Sequence, residues 1–299
     1  MKTFGVIDIG TNTILCLKAS IINHEINIIS DSRFHYRAGK RLDEVGNISS
    51  QYKTGMKNAV SKALEIVKDC SDVKITATEV LRKPKDGHEF AAKLSDEINI
   101  PIEIIDSQKE AELSFRGAVY QLEDIEGTVG VLDVGGGSTE LAVGSGKRLL
   151  DWTGVKLGAV SICELAGYGK PVDDYLSLAD RTFMESDFSK LLKNIPDRMI
   201  VVGGTAVSVA AILAQLEEFN PEKLNDFVLL ESVLALLLET LALTPAKKLR
   251  KLMAFDPERA DIIVGGGAIL LSFMRKYGFN EIQVSINGLR HGLLLEHFG

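Results

Sequence analysis

Val6-Ile7-Asp8-Ile9-Gly10-Thr11-Asn12-Thr13 stands near the start of the chain, and Val131-Leu132-Asp133-Val134-Gly135-Gly136-Gly137-Ser138 repeats its pattern 125 residues later. Each copy is an apolar run that ends in an aspartate and enters a small polar turn. A second apolar run follows, Ile14-Leu15-Cys16-Leu17 in one copy and Leu141-Ala142-Val143 in the other. That order reads as a β-hairpin with a polar tip. Such a tip aims backbone N–H groups and hydroxyls at one point beside a carboxylate, which suits a phosphate chain with a bound cation. The duplication predicts two related lobes facing a shared cleft, each lending one tip.

Outward from the first copy, β-like runs at residues 4–8, 13–21 and 25–31 precede Tyr52, Met56, Val60, Leu64 and Val67, which recur at helical spacing after Ser49-Ser50. Residues 73–78 and 102–105 read as strands, and residues 86–94 and 107–120 as helices. A second set begins after the acidic stretch 122–127, with strands at 129–133, 139–144 and 147–153 and later near 199–202 and 281–284. The pattern predicts an α/β protein of two lobes, residues 1–124 and 125–299, with the last helix able to pack back on the first lobe. Gly203-Gly204-Thr205 and Gly265-Gly266-Gly267 read as glycine-rich turns that either approach a ligand or pack closely.

The chain's 299 residues are 45% hydrophobic and 25% charged, the composition of a globular protein with room for two cores. Met1-Lys2-Thr3-Phe4 enters the first strand without an apolar targeting segment, and the stretch 233–243 is short and broken by Glu239, so the expectation is a cytoplasmic protein with no membrane partner. Cys16, Cys70 and Cys163 show no metal or disulfide spacing and read as free thiols. A formal net charge of −7 argues against nucleic-acid binding. A polyanionic substrate would therefore meet a local basic patch or a metal ion. Arg37, Lys40, Arg41, Arg82, Lys83 and Lys85 are the cations that stand out, all in the first lobe, either as solvated charge or as an electropositive rim. Arg290 and His291 read as structural, and His24, His35, His88 and His297 show no ligand spacing. A homodimer is left open.

Further blocks complete the pattern: Leu42-Asp43-Glu44-Val45-Gly46, Ala77-Thr78-Glu79-Val80-Leu81-Arg82, Glu110-Ala111-Glu112-Leu113-Ser114-Phe115, Leu157-Gly158-Ala159-Val160, Arg259-Ala260-Asp261-Ile262-Ile263 and Gly288-Leu289-Arg290-His291-Gly292. With the two aspartate–glycine tips, in this order and along the whole chain, they resemble the exopolyphosphatase/guanosine pentaphosphate phosphatase (Ppx/GppA) family in its short two-domain form. The resemblance implies two ribonuclease-H-like lobes of the actin, sugar-kinase and Hsp70 ATPase superfamily with an interlobe cleft. Two departures stand out: Asp86 where the family usually has asparagine, and Gly39-Lys40-Arg41-Leu42 where it often reads Gly-acid-Gly-Leu. Longer members carry a further C-terminal helical region, and the expectation is that this chain lacks it.

The resemblance implies a hydrolase that uses Mg²⁺ or Mn²⁺ to release the terminal phosphate of inorganic polyphosphate or the 5′ γ-phosphate of guanosine pentaphosphate. Glu110 is then the general base toward water, although Ser107-Gln108-Lys109-Glu110 also reads as a capping box. Gly10, Thr11, Asn12, Thr13, Arg82, Gly135, Gly136, Gly137 and Ser138 are the candidates to hold phosphate, and Asp133, Glu140 and Asp8 the candidates to hold the metal. Their plain readings are a turn cap for Asp133, a cross-strand ion pair for Glu140 and tight-turn glycines at 135–137. Two rivals remain, a non-hydrolysing sensor of guanosine tetra- or pentaphosphate and an actin-like-fold kinase. The few first-lobe cations predict distributive action on short substrates.

Overall fold

The computed structural model of the chain describes residues 2–22, 25–36, 41–122 and 126–299. Arg37, Lys40, His24 and the expected boundary at residue 124 lie outside the described residues. The chain divides into one unit of residues 1–113 with 289–299 and a second unit of residues 114–288. The division falls inside a helix rather than at the acidic stretch: Leu113 packs with Val6 and Leu17, whereas Ser114 bonds Asp133 and Phe115 lies against Gly144.

The first unit contains β1 (Phe4–Ile9), β2 (Thr13–Ile22), β3 (Glu25–His35), α1 (Ser50–Val67), β4 (Asp72–Ala77), α2 (Glu79–Arg82), α3 (Gly87–Ile98), β5 (Ile102–Ile104) and the start of α4 (Ser107–Val119). Its sheet runs β3-β2-β1-β4-β5, with the first three strands antiparallel and β1, β4 and β5 parallel. Strand alternation splits the core in two. Ile7, Ile9, Ile14 and Cys16 face α1 through Tyr52, Met56 and Val60. Val6, Leu17 and Ala19 face Leu113 and the C-terminal helix Leu289–Phe298 through Leu289, Leu293 and Leu294. By the same alternation Asp8 shares the face of Val6. Gly292 of that helix lies so close to the Leu113 carbonyl that no side chain fits between them.

The second unit contains β6 (Thr128–Val134), β7 (Thr139–Ser145), β8 (Arg148–Val155), α5 (Ala159–Ala166), α6 (Val172–Met184), α7 (Phe188–Leu191), β9 (Arg198–Val202), α8 (Gly204–Leu213), α9 (Pro221–Leu224), β10 (Val228–Leu230), α10 (Glu231–Ala242), α11 (Ala246–Leu252), a 3₁₀ turn Pro257–Arg259, α12 (Ile263–Tyr277) and β11 (Glu281–Val284). Its sheet, β8-β7-β6-β9-β11-β10, repeats the first with one strand added at the edge. The repetition extends to detail. The register shift between Lys18 and Ala19 recurs between Val143 and Gly144, again 125 residues on. Both sheets have the ribonuclease-H-like strand order, and the α/β reading of the sequence holds.

Gly265, Gly266 and Gly267 are not a turn. They lie inside α12, pressed on Cys163 and Ile162, on Thr205 and Ala159, and on Leu238 respectively, so they serve close helix packing. Among the described residues no helix is long and apolar enough to cross a membrane.

Candidate functional site

The two tips are built alike. Gly10 N–H donates to the Thr13 carbonyl at 3.2 Å, and Gly135 N–H to the Ser138 carbonyl at 3.0 Å. What lies beneath each tip differs. In the first unit the hydroxyl of Tyr36 donates to the Gly10 carbonyl and that of Tyr52 to the Thr11 carbonyl. In the second, the Gly135 carbonyl accepts Ala159 N–H at 2.9 Å, the Gly136 carbonyl accepts Val160 N–H at 2.8 Å and Ser161 N–H at 3.1 Å, and the Gly137 carbonyl accepts the Ser161 hydroxyl at 3.1 Å. Two tyrosines in one unit and a helix N-terminus in the other therefore tie the tip carbonyls inward. The N–H groups of Thr11, Asn12, Gly136 and Gly137 take no protein acceptor among the described residues. Donors forward and acceptors back is the arrangement an anion requires.

The side chains of the first tip are also held. Thr11 Oγ1 donates to Glu79 Oε2 at 3.4 Å, and Asn12 Nδ2 donates to Thr13 Oγ1 at 3.0 Å. His35 Nδ1 lies 3.3 Å from Asn12 Nδ2 and 3.1 Å from Thr13 Oγ1. His35, Tyr36, Tyr52 and Glu79 were not singled out for the site by sequence. For Tyr52 a signal existed, since a tyrosine on a buried helix face must find a partner for its hydroxyl.

Arg41 corrects the sequence reading. It is neither a surface charge nor a rim: it is 5% exposed, with Nη1 2.7 Å from the equally buried Glu79 Oε2. Lys83 Nζ approaches Glu79 Oε1 at 3.5 Å. Asp86, the departure from asparagine, accepts Ile48 N–H at 2.8 Å and pairs with Lys53 at 2.5 Å. Burial pushes its carboxyl up, but the Lys53 and Ile48 bonds outweigh that and hold it below the usual carboxylate range.

Glu110 sits in the first turn of α4, 7% exposed. The capping-box reading fails, because the helix begins at Ser107 and it is Asp106 whose Oδ1 accepts Lys109 N–H, at 2.8 Å. The Glu110 side chain turns instead to Arg82, Nη2 to Oε2 at 3.2 Å, while Arg82 Nη1 is fixed on the Ile105 carbonyl at 2.5 Å. Arg82 remains partly exposed, so its other N–H groups can reach a ligand. Glu112 is solvated beside Lys109.

In the second unit Asp133 and Glu140 are directly opposed across β6 and β7, which places both carboxylates on one face of the sheet. Ser114 Oγ donates to Asp133 Oδ2 at 2.6 Å. Burial raises the Asp133 carboxyl above its ordinary range, and the Ser114 bond only partly offsets this. A Cβ on Gly203, whose φ is +94°, would lie 2.8 Å from the Val134 carbonyl oxygen and 3.0 Å from Asp133 Oδ1, so only glycine fits there. The first unit lacks this pair, since Asp8 faces Leu15. Among the described residues no three His, Cys, Asp or Glu gather as a complete metal cage. Two adjacent oxygen donors still fit Mg²⁺, which commonly takes one or two carboxylates and fills its shell with phosphate oxygens and water.

The chain matches the model of the Ppx/GppA phosphatase family over residues 19–299. It is similar to a bifunctional 3-dehydroquinate synthase/phosphatase of Fusobacterium nucleatum, 25% identical over 97% of this chain and 46% of that protein. It is 24% identical to exopolyphosphatase 2 of Mycobacterium tuberculosis, over 99% of this chain and 98% of the relative. A guanosine-5′-triphosphate,3′-diphosphate pyrophosphatase of Vibrio cholerae is 23% identical over 98% of this chain and 59% of its own length. The chain thus spans about half the length of the Fusobacterium and Vibrio relatives and nearly all of the mycobacterial one. The crystal structure of the Aquifex aeolicus Ppx/GppA family member shares the fold, with TM-score 0.80 at 24% identity over 99% of this chain and 97% of that one. With the family model covering all but the first strand and part of the second, the chain belongs to the Ppx/GppA phosphatase family.

Proposed function

We propose that the chain is a metal-dependent phosphohydrolase that releases the terminal phosphate of inorganic polyphosphate, of guanosine pentaphosphate, or of both. The relatives named for these two activities support the substrate class. The observation that carries the mechanism is the Arg82–Glu110 pair, in which the carboxylate is aimed by a guanidinium rather than spent on a helix cap.

In this reading Glu110 accepts a proton from the attacking water while the water adds to the terminal phosphorus and the anhydride oxygen leaves. Arg82 orients Glu110 and gives its remaining N–H groups to phosphate oxygens. The tips at 10–13 and 135–138 donate backbone N–H groups to the phosphate chain. Asp133 and Glu140 would hold Mg²⁺ or Mn²⁺, which when bound offsets phosphate charge in a protein that is itself acidic. Asp8 places a carboxylate beside the first tip, where the residue opposite it is Leu15.

Glu110→Gln tests the reading. The amide keeps size and loses basicity, so substrate binding should persist while turnover falls about 10²- to 10⁴-fold, the usual contribution of a general base. Phosphate release at the wild-type rate by the folded variant would refute the assignment. Undiminished activity of EDTA-treated enzyme in metal-free buffer would refute the metal requirement.

A further inference from the structure

The sequence reading placed every notable cation in the first lobe, and the second unit overturns that premise. Helix α11 carries Lys247, Lys248, Arg250 and Lys251, all exposed, within seven residues that include no acid. Leu249 and the following Met253 are buried in the second unit's core and fix the helix, so Lys247, Arg250 and Lys251, spaced i, i+3 and i+4, share its outward face. With Ala246 they line a concavity of about 370 Å³.

Exposed lysines elsewhere either stand singly, as Lys62, Lys156 and Lys276 do, or pair with an acid, and what sets α11 apart, among the described residues, is four unpaired cations within seven residues. Lys57 pairs with Glu97 at 2.6 Å, Lys93 with Glu89 at 2.5 Å, Lys68 with Glu65 at 3.1 Å and Lys190 with Asp187 at 2.7 Å. None of the four α11 cations has a carboxylate partner among the described residues. In a chain of net charge −7, a hollow lined by unneutralised cations is a local positive field with no internal use. It is also connected to the candidate site within the same unit. Gly203 abuts Asp133, Gly204 abuts the Arg259 guanidinium, and Arg259 ends the 3₁₀ turn that packs on α11.

We infer that the α11 hollow is a secondary binding site for a linear polyanion, engaging the far part of a polyphosphate chain whose end is being cleaved. The inference rests on the phosphohydrolase reading for its choice of ligand. A chain long enough to touch both places binds through two linked contacts, so affinity rises with length without any change at the reacting phosphorus. A substrate too short to span the two places gains nothing from the hollow. The expectation of a preference for short substrates is accordingly replaced by one for long chains.

The test compares Lys247→Ala/Arg250→Ala/Lys251→Ala with Arg181→Ala/Lys190→Ala/Lys193→Ala, which removes the same charge from exposed positions elsewhere in the second unit. Binding of fluorescent polyphosphate of about 100 units is measured directly, and phosphate release is followed with that polymer and with tripolyphosphate. The α11 variant should bind the polymer at least about 10-fold more weakly, with a salt slope smaller by about 2. Its kcat and KM for tripolyphosphate should be unchanged, and the control variant should bind the polymer like the wild type. Equal polymer affinity of the two variants overturns the inference. So does loss of binding to phosphatidylserine vesicles, with polymer binding retained, in the α11 variant, since the hollow would then serve a membrane surface. A wild type that binds polymer through α11 but hydrolyses neither phosphate chain refutes polyphosphate as the substrate and leaves the binding site standing.

Discussion

Tyr52 shows how one hydroxyl shapes the first tip. It was legible as a core position from helical spacing, yet its hydroxyl also ties the Thr11 carbonyl inward. Tyr52→Phe leaves that buried carbonyl unsatisfied, so we expect a loss of about 1–3 kcal/mol in urea denaturation. KM should rise more than kcat falls. Arg41 gives the opposite lesson: nothing local in the sequence pairs it with Glu79, 38 residues away, and only the folded chain shows the charge to be buried. His291 is fully buried, and burial followed by the neighbouring Arg290 charge holds its imidazole well below the usual histidine range. The folded state therefore keeps it neutral while the unfolded chain takes up a proton below about pH 6.5. Stability contributed at neutral pH is lost as pH falls, by at most about 1.4 kcal/mol per pH unit for one proton. His291→Asn should flatten this slope between pH 6.5 and 5; an unchanged slope in thermal melts would assign the pH dependence elsewhere.

Elements were more legible than side chains, because strand alternation and helical spacing are local signals. The hairpins at 4–22 and 128–145 follow from apolar runs around a polar tip. The three residues of β10 were missed, since their pairing with β11 depends on a partner more than fifty residues away. Gly265–Gly267 were read as a turn for a similar reason: a glycine run marks close approach, but not whether a loop or a neighbouring helix is what approaches. Gly158, by contrast, joins two elements. A Cβ there would lie 2.5–2.7 Å from the backbone of Gly135, Gly136 and Gly137, in the contact that lets α5 tie those carbonyls inward. Gly158→Ala must push the second tip off the helix. We expect it to lower the melting temperature and reduce phosphate release at least about 100-fold, with circular dichroism otherwise close to the wild type. Wild-type activity would show that the tip is not held from below.

At the scale of the whole molecule, the chain is a duplication that has diverged where the chemistry is proposed to occur. Strand order, tip closure and even the β-bulge recur 125 residues apart. The cross-strand partner of the aspartate does not, being Leu15 in the first unit and Glu140 in the second. That difference could be read from the sequence once the hairpin register was assumed, and it assigns unequal roles to two aspartates that look equivalent. A hard cation gains from two adjacent oxygen donors and gains little beside a leucine. We therefore expect Asp133→Asn and Glu140→Gln each to weaken Mn²⁺ binding at least about 10-fold, read by electron paramagnetic resonance without substrate, and Asp8→Asn to leave it nearly unchanged. Asp133→Asn should also raise the melting temperature of the metal-free protein, because it removes a charge whose burial is unfavourable. Asp8→Asn should still slow phosphate release, since Asp8 stands beside the first tip. Equal loss of Mn²⁺ binding in Asp8→Asn and Asp133→Asn would mean that the two units share the metal symmetrically, and the divergence at Leu15 and Glu140 would need another cause.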